Sequence, residues 1–234
     1  PIVTIATSSG TGSEINCWGV ISNPETHEKI GFGYPELVPV LSIVDPELMR
    51  TVPPKYTAYQ GFDALFHNTE VMISNGVNIL SETMALSAIE HIAKYLPKAV
   101  ANGYDLEARE AVAYGSTVAG ITMQLTNTTA QHSMEHAMSA YHPNLPHGAG
   151  LIMISKAFAE FFIEKHACDQ QFIKMARAMG IPGADKPEDF ITALVNLQKA
   201  CGVDNLKMRD YGFEKSESMK LAINARETMG GLFL

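Results

Sequence analysis

The sequence predicts a mainly α-helical protein in which a multi-helical domain follows a short segment rich in β-strands. From Pro53 onward, apolar residues recur at helical spacing almost throughout, and turn signals separate the helical stretches. Before that point the apolar runs are short, rich in β-branched residues and bounded by polar or glycine-containing loops. We therefore divide the chain into a strand-containing part, residues 1–50, and a helical domain, residues 51–234.

Four segments of the first part fit strands. They cover residues 2–6, 17–21, 29–32 and 38–44. Four such strands cannot bury both faces of a sheet by themselves. The loop after the first strand contains Gly10-Thr11-Gly12, which lacks the third glycine of a dinucleotide fingerprint and fits a tight polar turn. We expect Trp18, the single tryptophan, to be buried in the core.

The second part contains eight helical stretches. They cover residues 54–73, 77–96, 105–125, 129–141, 149–165, 168–179, 187–201 and 215–230. The breaks between them fall at Asn75-Gly76, Pro97, Asn102-Gly103, His142-Pro143, Gly180 and Gly202. Pro53-Pro54, Asp105 and Pro187 suit helix starts. The charged run from Asp105 through Arg109 to Glu110 is typical of the solvated first turns of a helix.

Composition excludes several classes of protein. With 17 basic against 25 acidic residues, the net charge of −8 disfavours nucleic acid or an anionic membrane as a partner. No run of apolar residues is long enough to span a membrane. The three cysteines form neither a disulfide framework nor a Cys-x-x-Cys site, which favours a reducing cytoplasm.

Four residues could form one metal site. Asp63 and His67 lie four apart and therefore share one helix face, whereas His132 and His147 come from later segments. One carboxylate and three imidazoles suit a divalent transition metal that keeps an open coordination position.

Each of these histidines, taken singly, is more often a hydrogen-bonded surface or core residue than a metal ligand. The joint pattern is more specific, because four of the eight histidines fall within sixteen residues. These are His132, His136, His142 and His147. We assign His142 to an exposed loop outside the site.

Several segments together resemble the iron-containing (group III) alcohol dehydrogenases. They are Gly61-Phe62-Asp63-Ala64-Leu65-Phe66-His67, His132-Ser133-Met134-Glu135-His136-Ala137, Leu145-Pro146-His147-Gly148, Thr7-Ser8-Ser9-Gly10-Thr11-Gly12-Ser13-Glu14 and Asp45-Pro46-Glu47-Leu48. The resemblance implies a dehydroquinate synthase-like helical domain, preceded by a β-rich remnant of an α/β nucleotide-binding domain. The chain opens on Pro1 and lacks the family's Gly-Gly-Gly-Ser phosphate loop. We therefore expect an excised piece that is poorly active alone.

The resemblance also implies roles for individual residues. Asp63, His67, His132 and His147 would bind Fe²⁺, or Zn²⁺ in some relatives, and His136 would relay a proton as the catalytic residue. A second set would contact NAD or NADP. That set is Thr7, Ser8, Lys29, Leu48 and Thr51, and for Lys29 an ordinary solvated lysine is an equal alternative. Trp18 matches a position near the substrate channel.

The implied reaction is the interconversion of a primary alcohol or small diol and its aldehyde, with hydride transfer to or from NAD(P). Two alternatives stay open. One is a zinc enzyme of the glycerol dehydrogenase or dehydroquinate synthase type, and the other is a non-catalytic helical module that binds metal. The resemblance further implies a homo-oligomer whose size the sequence does not fix.

Overall fold

The structure, a computed structural model, describes residues 1–228 and has a small strand-containing part beside a large helical one. The strands are β1 (Val3–Ala6), β2 (Trp18–Asn23), β3 (Glu28–Gly33) and β4 (Leu41–Val44). The helices are α1 (Pro54–Ile73), α2 (Ile79–Ala101), α3 (Leu106–Leu125), α4 (Ala130–Tyr141), α5 (His147–Glu164), α6 (Asp169–Ala178), α7 (Glu188–Ala200) and α8 (Ser218–Glu227). The predicted fold class is confirmed.

The strands form two separate pairs. β1 pairs with β4 in parallel, and β2 pairs with β3 as an antiparallel hairpin. In the hairpin, Trp18 lies opposite Gly33 and Val20 lies opposite Gly31. Trp18 is 44% exposed, so the prediction that it is buried in the core is wrong. Its ring instead covers Gly33, where an added Cβ would lie 2.6 Å from Trp18 Cε3.

Three helices have a boundary that differs from prediction by two residues or more. The expected break at Pro97 is wrong, because α2 continues to Ala101 and buries Leu96 and Ala99 on either side of the proline. α5 begins at His147 rather than at residue 149. A short 3₁₀ turn, Lys215–Glu217, precedes α8, and residues 229–230 of the last predicted helix lie outside the described residues.

Helix α1 lies at the centre of the helical part and contacts α2, α3 and α5. Its apolar side chains, including Phe62, Leu65 and Phe66, are buried on several sides of the helix. A helix buried all round is expected to be apolar, so its buried polar residues need partners.

The loop between β1 and β2 packs tightly on α3. Gly12 adopts a positive φ of +59°, and an added Cβ would lie 2.5 Å from Ser116 O and from Gly120 N. Glycine is therefore required at Gly12 both for its backbone conformation and for this close approach. The observed loop corresponds to the polar-turn interpretation of the Gly10-Thr11-Gly12 segment.

Arg109 of α3 is only 4% exposed, so the expectation of a solvated residue there is wrong. Its guanidinium donates from Nε to Gly103 O at 2.9 Å, and to Thr57 Oγ1 at 2.8 Å and Val52 O at 3.1 Å. Asp105 accepts from Ala108 N and caps the helix as predicted. Arg109 therefore ties the start of α1 to the start of α3.

His142 also differs from its predicted place in an exposed loop. It ends α4, packs its ring 3.8 Å from that of Phe213, and lies 3.2 Å from Glu217 Oε2. Its side chain is largely covered and helps to attach the α8 region to α4.

Within residues 1–228, the structure contains no helix with both the length and the apolar character that crossing a membrane requires.

Arg109→Met should lower the free energy of unfolding by about 3 kcal/mol, because it leaves the buried Thr57 hydroxyl and two partly buried carbonyl groups without their donor. Urea denaturation measures the change. Arg209→Met is the matched control, since the Arg209 side chain is 74% exposed. It should change stability by less than ~0.5 kcal/mol. Equal effects of the two substitutions would contradict the role of Arg109.

Candidate metal centre

Asp63 and His67 lie one turn apart on α1 and are both buried. His67 Nδ1 donates to the carbonyl oxygen of Asp63 at 2.9 Å, and it also lies 3.2 Å from Asp63 Oδ1. Because Nδ1 is used within the helix, Nε2 is the ring nitrogen that remains for a cation.

His132 is oriented by Glu70, a fully buried residue one turn beyond His67 on α1. Glu70 Oε2 contacts His132 Nδ1, and Glu70 Oε1 accepts from the backbone N–H groups of Thr129, Gln131 and His132. These N–H groups form the start of α4, which no side chain of its own residues caps. Glu70 thus caps α4 and leaves His132 Nε2 directed at Asp63.

His147 is the first residue of α5 rather than a loop residue. Pro146 precedes it at the N-cap, where the missing N–H costs nothing. His147 Nδ1 contacts Glu135 Oε2, and Nε2 lies 3.4 Å from Asp63 Oδ1.

Three of the four predicted ligands converge on one point. His132 Nε2 and His147 Nε2 each lie 3.4 Å from Asp63 Oδ1, and the three ligand atoms lie within 4.8 Å of one another. Ligand bonds of ~2.1 Å to a tetrahedral ion place neighbouring ligand atoms roughly 3.4 Å apart. The donor set therefore fits a transition metal in both chemistry and spacing.

His67 lies beside this group. Its ring is 4.1 Å from that of His132 and faces the same cavity, but among the described residues it is not within the group of mutual 4.8 Å distances. Its assignment as fourth ligand stays a prediction.

The surroundings of the imidazoles are negatively charged. Asp63, Glu70 and Glu135 are buried carboxylates, whereas Lys29 supplies one positive charge through its 3.2 Å ion pair with Glu135. With neutral imidazoles, two negative charges remain in a buried site. Two protons on the imidazoles or one divalent cation would balance them, so the charge of the site is compatible with such an ion.

The pKa values reflect this charge. Burial by itself raises the pKa of Asp63, but the neighbouring His67 and His147 hold it well below its usual value. Burial lowers the pKa of His132, yet Glu70 and Asp63 outweigh it and raise that pKa to about 10. Glu135 and Asp63 likewise raise the pKa of His147 against the effect of burial. The site therefore attracts positive charge strongly.

His136 lies on the same face of α4 as His132, one turn further along. Its ring is 5.4 Å from that of His147, and it faces the cavity. Burial and the charge of His147 lower its pKa well below the usual value. His136 is therefore a neutral imidazole beside the candidate ligands.

A cavity of about 410 Å³ opens onto the site. The hairpin forms one wall through Trp18, Val20, Lys29 and Gly31, and α3 contributes Met123. The cavity is also lined by four histidines, His67, His132, His136 and His147. A small molecule in the cavity would lie against the imidazoles and an apolar wall.

The residues predicted to contact the cofactor are spread more widely. Thr7, Ser8, Leu48 and Thr51 are exposed residues of the strand-containing part and of the segment that leads into α1. Lys29 lies instead in the cavity, 2.8 Å from Ser139 Oγ and paired with Glu135, so the alternative of a solvated lysine is wrong. The cofactor roles of all five stay predictions.

Sequence reasoning missed Glu70 and Glu135. A signal existed for each one: Glu70 follows His67 by three residues in a helix that is otherwise largely apolar, and Glu135 lies between His132 and His136. A carboxylate in such a position is rarely buried without a partner.

Comparison with known proteins identifies the family. The family model described as Fe-containing alcohol dehydrogenase family, C-terminal, matches residues 57–232. A second, described as iron-containing alcohol dehydrogenase, matches residues 1–46.

Two curated relatives and one solved structure illustrate the match. The chain is 31% identical to the NAD-dependent methanol dehydrogenase of Bacillus methanolicus, over 97% of this chain and 60% of the relative. It is 33% identical to the 1,3-propanediol dehydrogenase of Klebsiella pneumoniae, over 93% of this chain and 56% of the relative. The structure of an archaeal halo-thermophilic Red Sea brine pool alcohol dehydrogenase bound to NZQ superposes with a TM-score of 0.92 at 31% identity, covering 98% of this chain and 59% of that one. The chain thus spans little more than half the length of these three proteins.

Metal analysis should find one Fe²⁺ or Zn²⁺ per chain. His132→Asn should weaken binding of this ion by more than ~100-fold, because it removes a direct ligand, and even the loss of a residue that only orients a ligand costs about 10–100-fold. Equilibrium dialysis with elemental analysis measures both values, and circular dichroism checks that the variant folds. The control is His166→Asn, because the His166 side chain is 81% exposed and asparagine tolerates its φ of +52°. Unchanged metal content in His132→Asn would refute the ligand set.

Proposed function

The chain belongs to the Fe-containing alcohol dehydrogenase family, and from that premise we propose that it carries the metal-binding part of an NAD(P)-dependent alcohol dehydrogenase. The proposed reaction converts a primary alcohol into its aldehyde, with a hydride passing to NAD(P)⁺ and a proton passing to the protein, and it is reversible. The observation that carries the proposal is the spacing of Asp63, His132 and His147 at the edge of a cavity large enough for a small alcohol.

The proposed division of labour follows the two parts of the chain. Residues 1–50 would belong to the nucleotide-binding domain and residues 51–234 to the metal-binding domain. The two family models match on either side of residues 47–56, which supports this boundary. Four exposed residues of the strand-containing part and of the segment that leads into α1 would contact the nicotinamide end of the cofactor. They are Thr7, Ser8, Leu48 and Thr51.

Asp63, His67, His132 and His147 would hold Fe²⁺ or Zn²⁺ at the end of the cavity. When bound, the cation would act as a Lewis acid on the substrate oxygen and the nicotinamide would take the hydride.

The chain's own residues position the substrate and exclude water. Trp18, Val20 and Met123 give the cavity an apolar wall that would hold the alkyl part of the alcohol and keep water from its carbinol carbon. A ring nitrogen of His136 lies within 4.8 Å of a ring nitrogen of His147 and of a carboxylate oxygen of Glu135. It would relay the proton of the hydroxyl group rather than hold it, because burial and the neighbouring His147 lower its pKa.

The relatives support the substrate class. One is named for methanol and the other for 1,3-propanediol, and both compounds are primary alcohols. The zinc-dependent glycerol dehydrogenase or dehydroquinate synthase alternative has no comparable support from these names. A homo-oligomeric state and a cytoplasmic location stay predictions.

The metal-loaded chain should reduce NAD⁺ or NADP⁺ only in the presence of a primary alcohol, and Asp63→Asn should abolish this reaction together with metal binding. His166→Asn should leave both unchanged. The measurement is the appearance of reduced cofactor with methanol, 1-propanol and 1,3-propanediol. Because the chain spans little more than half the length of these relatives, we expect this reduction to be slow. Turnover that survives Asp63→Asn would contradict the proposed site, and a metal-loaded chain that binds no primary alcohol would favour the non-catalytic module.

Gly31 should limit substrate length. It lies in β3 on the cavity wall, and an added Cβ would meet no atom within 4 Å, so a larger side chain would enter the cavity without displacing the hairpin. Gly31→Val should weaken binding of 1-hexanol relative to ethanol by ~10-fold. The valine side chain would fill part of the cavity, so that fewer methylene groups of the longer alcohol are buried. Titration of the Co²⁺-loaded chain, followed by its absorption spectrum, gives both affinities.

Gly183→Val is the matched control for that titration. Gly183 is exposed, an added Cβ there also meets no atom within 4 Å, and it does not line the cavity. A hexanol-to-ethanol ratio that is the same in both variants would show that the hairpin wall does not contact the substrate.

A further inference from the structure

We propose that Glu135 is a positioning residue of the metal centre: its Oε2 holds the His147 ring so that Nε2 faces Asp63, while Lys29 holds Glu135 in place. This inference rests on the proposed metal site, and it assigns a role to two residues that the metal itself would not contact. The inference is supported by two contacts of the same atom: His147 Nδ1 and Lys29 Nζ both contact Glu135 Oε2.

His147 needs orientation from outside its own helix. It is the first residue of α5, where the preceding turn offers no helical neighbour to fix the ring, and its side chain is 27% exposed at the cavity. His132, by contrast, has a side chain that is only 5% exposed. The His147 ring has carboxylates on both sides: Glu135 contacts Nδ1, and Asp63 Oδ1 lies near Nε2. An Nδ1–H donated to Glu135 leaves the Nε2 lone pair for the metal.

Glu135 is itself held rigidly. Its side chain is fully buried on α4, and Lys29 Nζ lies 3.2 Å from the same Oε2. Lys29 also donates to Ser139 Oγ at 2.8 Å, one turn further along α4. Three elements, β3, α4 and α5, therefore meet at this carboxylate. The hairpin that forms the cavity wall is thereby tied to a metal ligand.

Gly150 provides the space that Glu135 occupies. An added Cβ at Gly150 would lie 2.7 Å from Glu135 Cγ and 3.0 Å from Glu135 Oε1. A side chain on this turn of α5 would push the carboxylate away from His147. The position of Glu135 thus depends on a small residue in the helix that carries the ligand.

A second cation site is the competing interpretation of this cluster. Glu135, His136 and His147 also offer ligand atoms within 4.8 Å of one another. Lys29 Nζ, however, lies 3.4 Å from His147 Nδ1 and 3.2 Å from Glu135 Oε2, so an ammonium group already lies beside both donors. Repulsion between this ammonium group and a cation bound to the same two atoms disfavours a second metal ion, and orientation of His147 is therefore the favoured role of the carboxylate.

The test compares three variants by their Zn²⁺ dissociation constants, measured by competition with a chelator. Glu135→Ala removes the contact to His147 and should weaken zinc binding by ~10–100-fold. Glu135→Gln keeps an oxygen that accepts from both His147 and Lys29 but removes one negative charge of the site, so its loss of zinc affinity should be at least ~3-fold smaller than that of Glu135→Ala. Glu160→Gln is the control, since Glu160 forms an exposed ion pair with Lys156 on α5.

Gly150→Ala gives an independent measurement, because it displaces the carboxylate without removing it. It should raise the Zn²⁺ dissociation constant, as Glu135→Ala does. ¹⁵N spectra of the zinc-loaded protein should show the Nδ1–H tautomer of His147 in the parent and in Glu135→Gln.

Each outcome decides one point. If the parent binds zinc and Glu135→Ala binds it within ~2-fold, the positioning role is wrong while the metal site stands. Equal losses in Glu135→Gln and Glu135→Ala would show that the charge of Glu135 matters and its position does not, which also overturns the proposal. A parent that binds no zinc or iron overturns the proposed function and this inference together.

Discussion

The buried carboxylate of Glu70 is the interaction on which the arrangement of the site depends. An ionised carboxylate without exposure to water is strongly destabilising unless its oxygens are hydrogen-bonded. Glu70 meets that requirement with the first N–H groups of α4 and with the ring of His132. The positive end of the α4 dipole favours the same charge. The relative position of α1 and α4 is thereby fixed, and the direction of His132 follows from it.

The central helix explains why the polar groups converge. Asp63, His67 and Glu70 are separated by four and three residues, so they form one stripe on a helix that is otherwise packed in apolar surroundings. Burial leaves them no partner in water, and each side chain must therefore pair with a group on another element or with its own backbone. In His67, His132 and His147 this contact is made by Nδ1. The Nε2 atom of each ring is therefore the one that can bind a cation. The same hydrogen bonds that stabilise the buried carboxylates therefore leave free the ring nitrogens that the proposed metal site requires.

The helical part could be predicted closely from sequence, because apolar periodicity and capping residues are local signals. Asp105 and Pro53-Pro54 mark starts that the structure confirms, whereas Pro97 was misleading because tertiary burial of Leu96 and Ala99 carries α2 through it. The residue types of the site were also predictable. The places of Trp18, Lys29, Arg109 and His142 were not, because each depends on partners distant in sequence that no local pattern encodes.

The hairpin shows how a weakly stabilised element can acquire a defined position. An isolated two-stranded hairpin is marginally stable in water, and much of this one is exposed. Lys29 anchors it to α4 through its ion pair with the buried Glu135, and Gly31, opposite Val20, lines the cavity without a side chain. A mobile wall would not exclude water from a substrate carbon, whereas an anchored wall does. In the proposed enzyme, the ion pair between Lys29 and Glu135 would therefore join substrate enclosure to the orientation of His147, although the two functions arise from different parts of the chain.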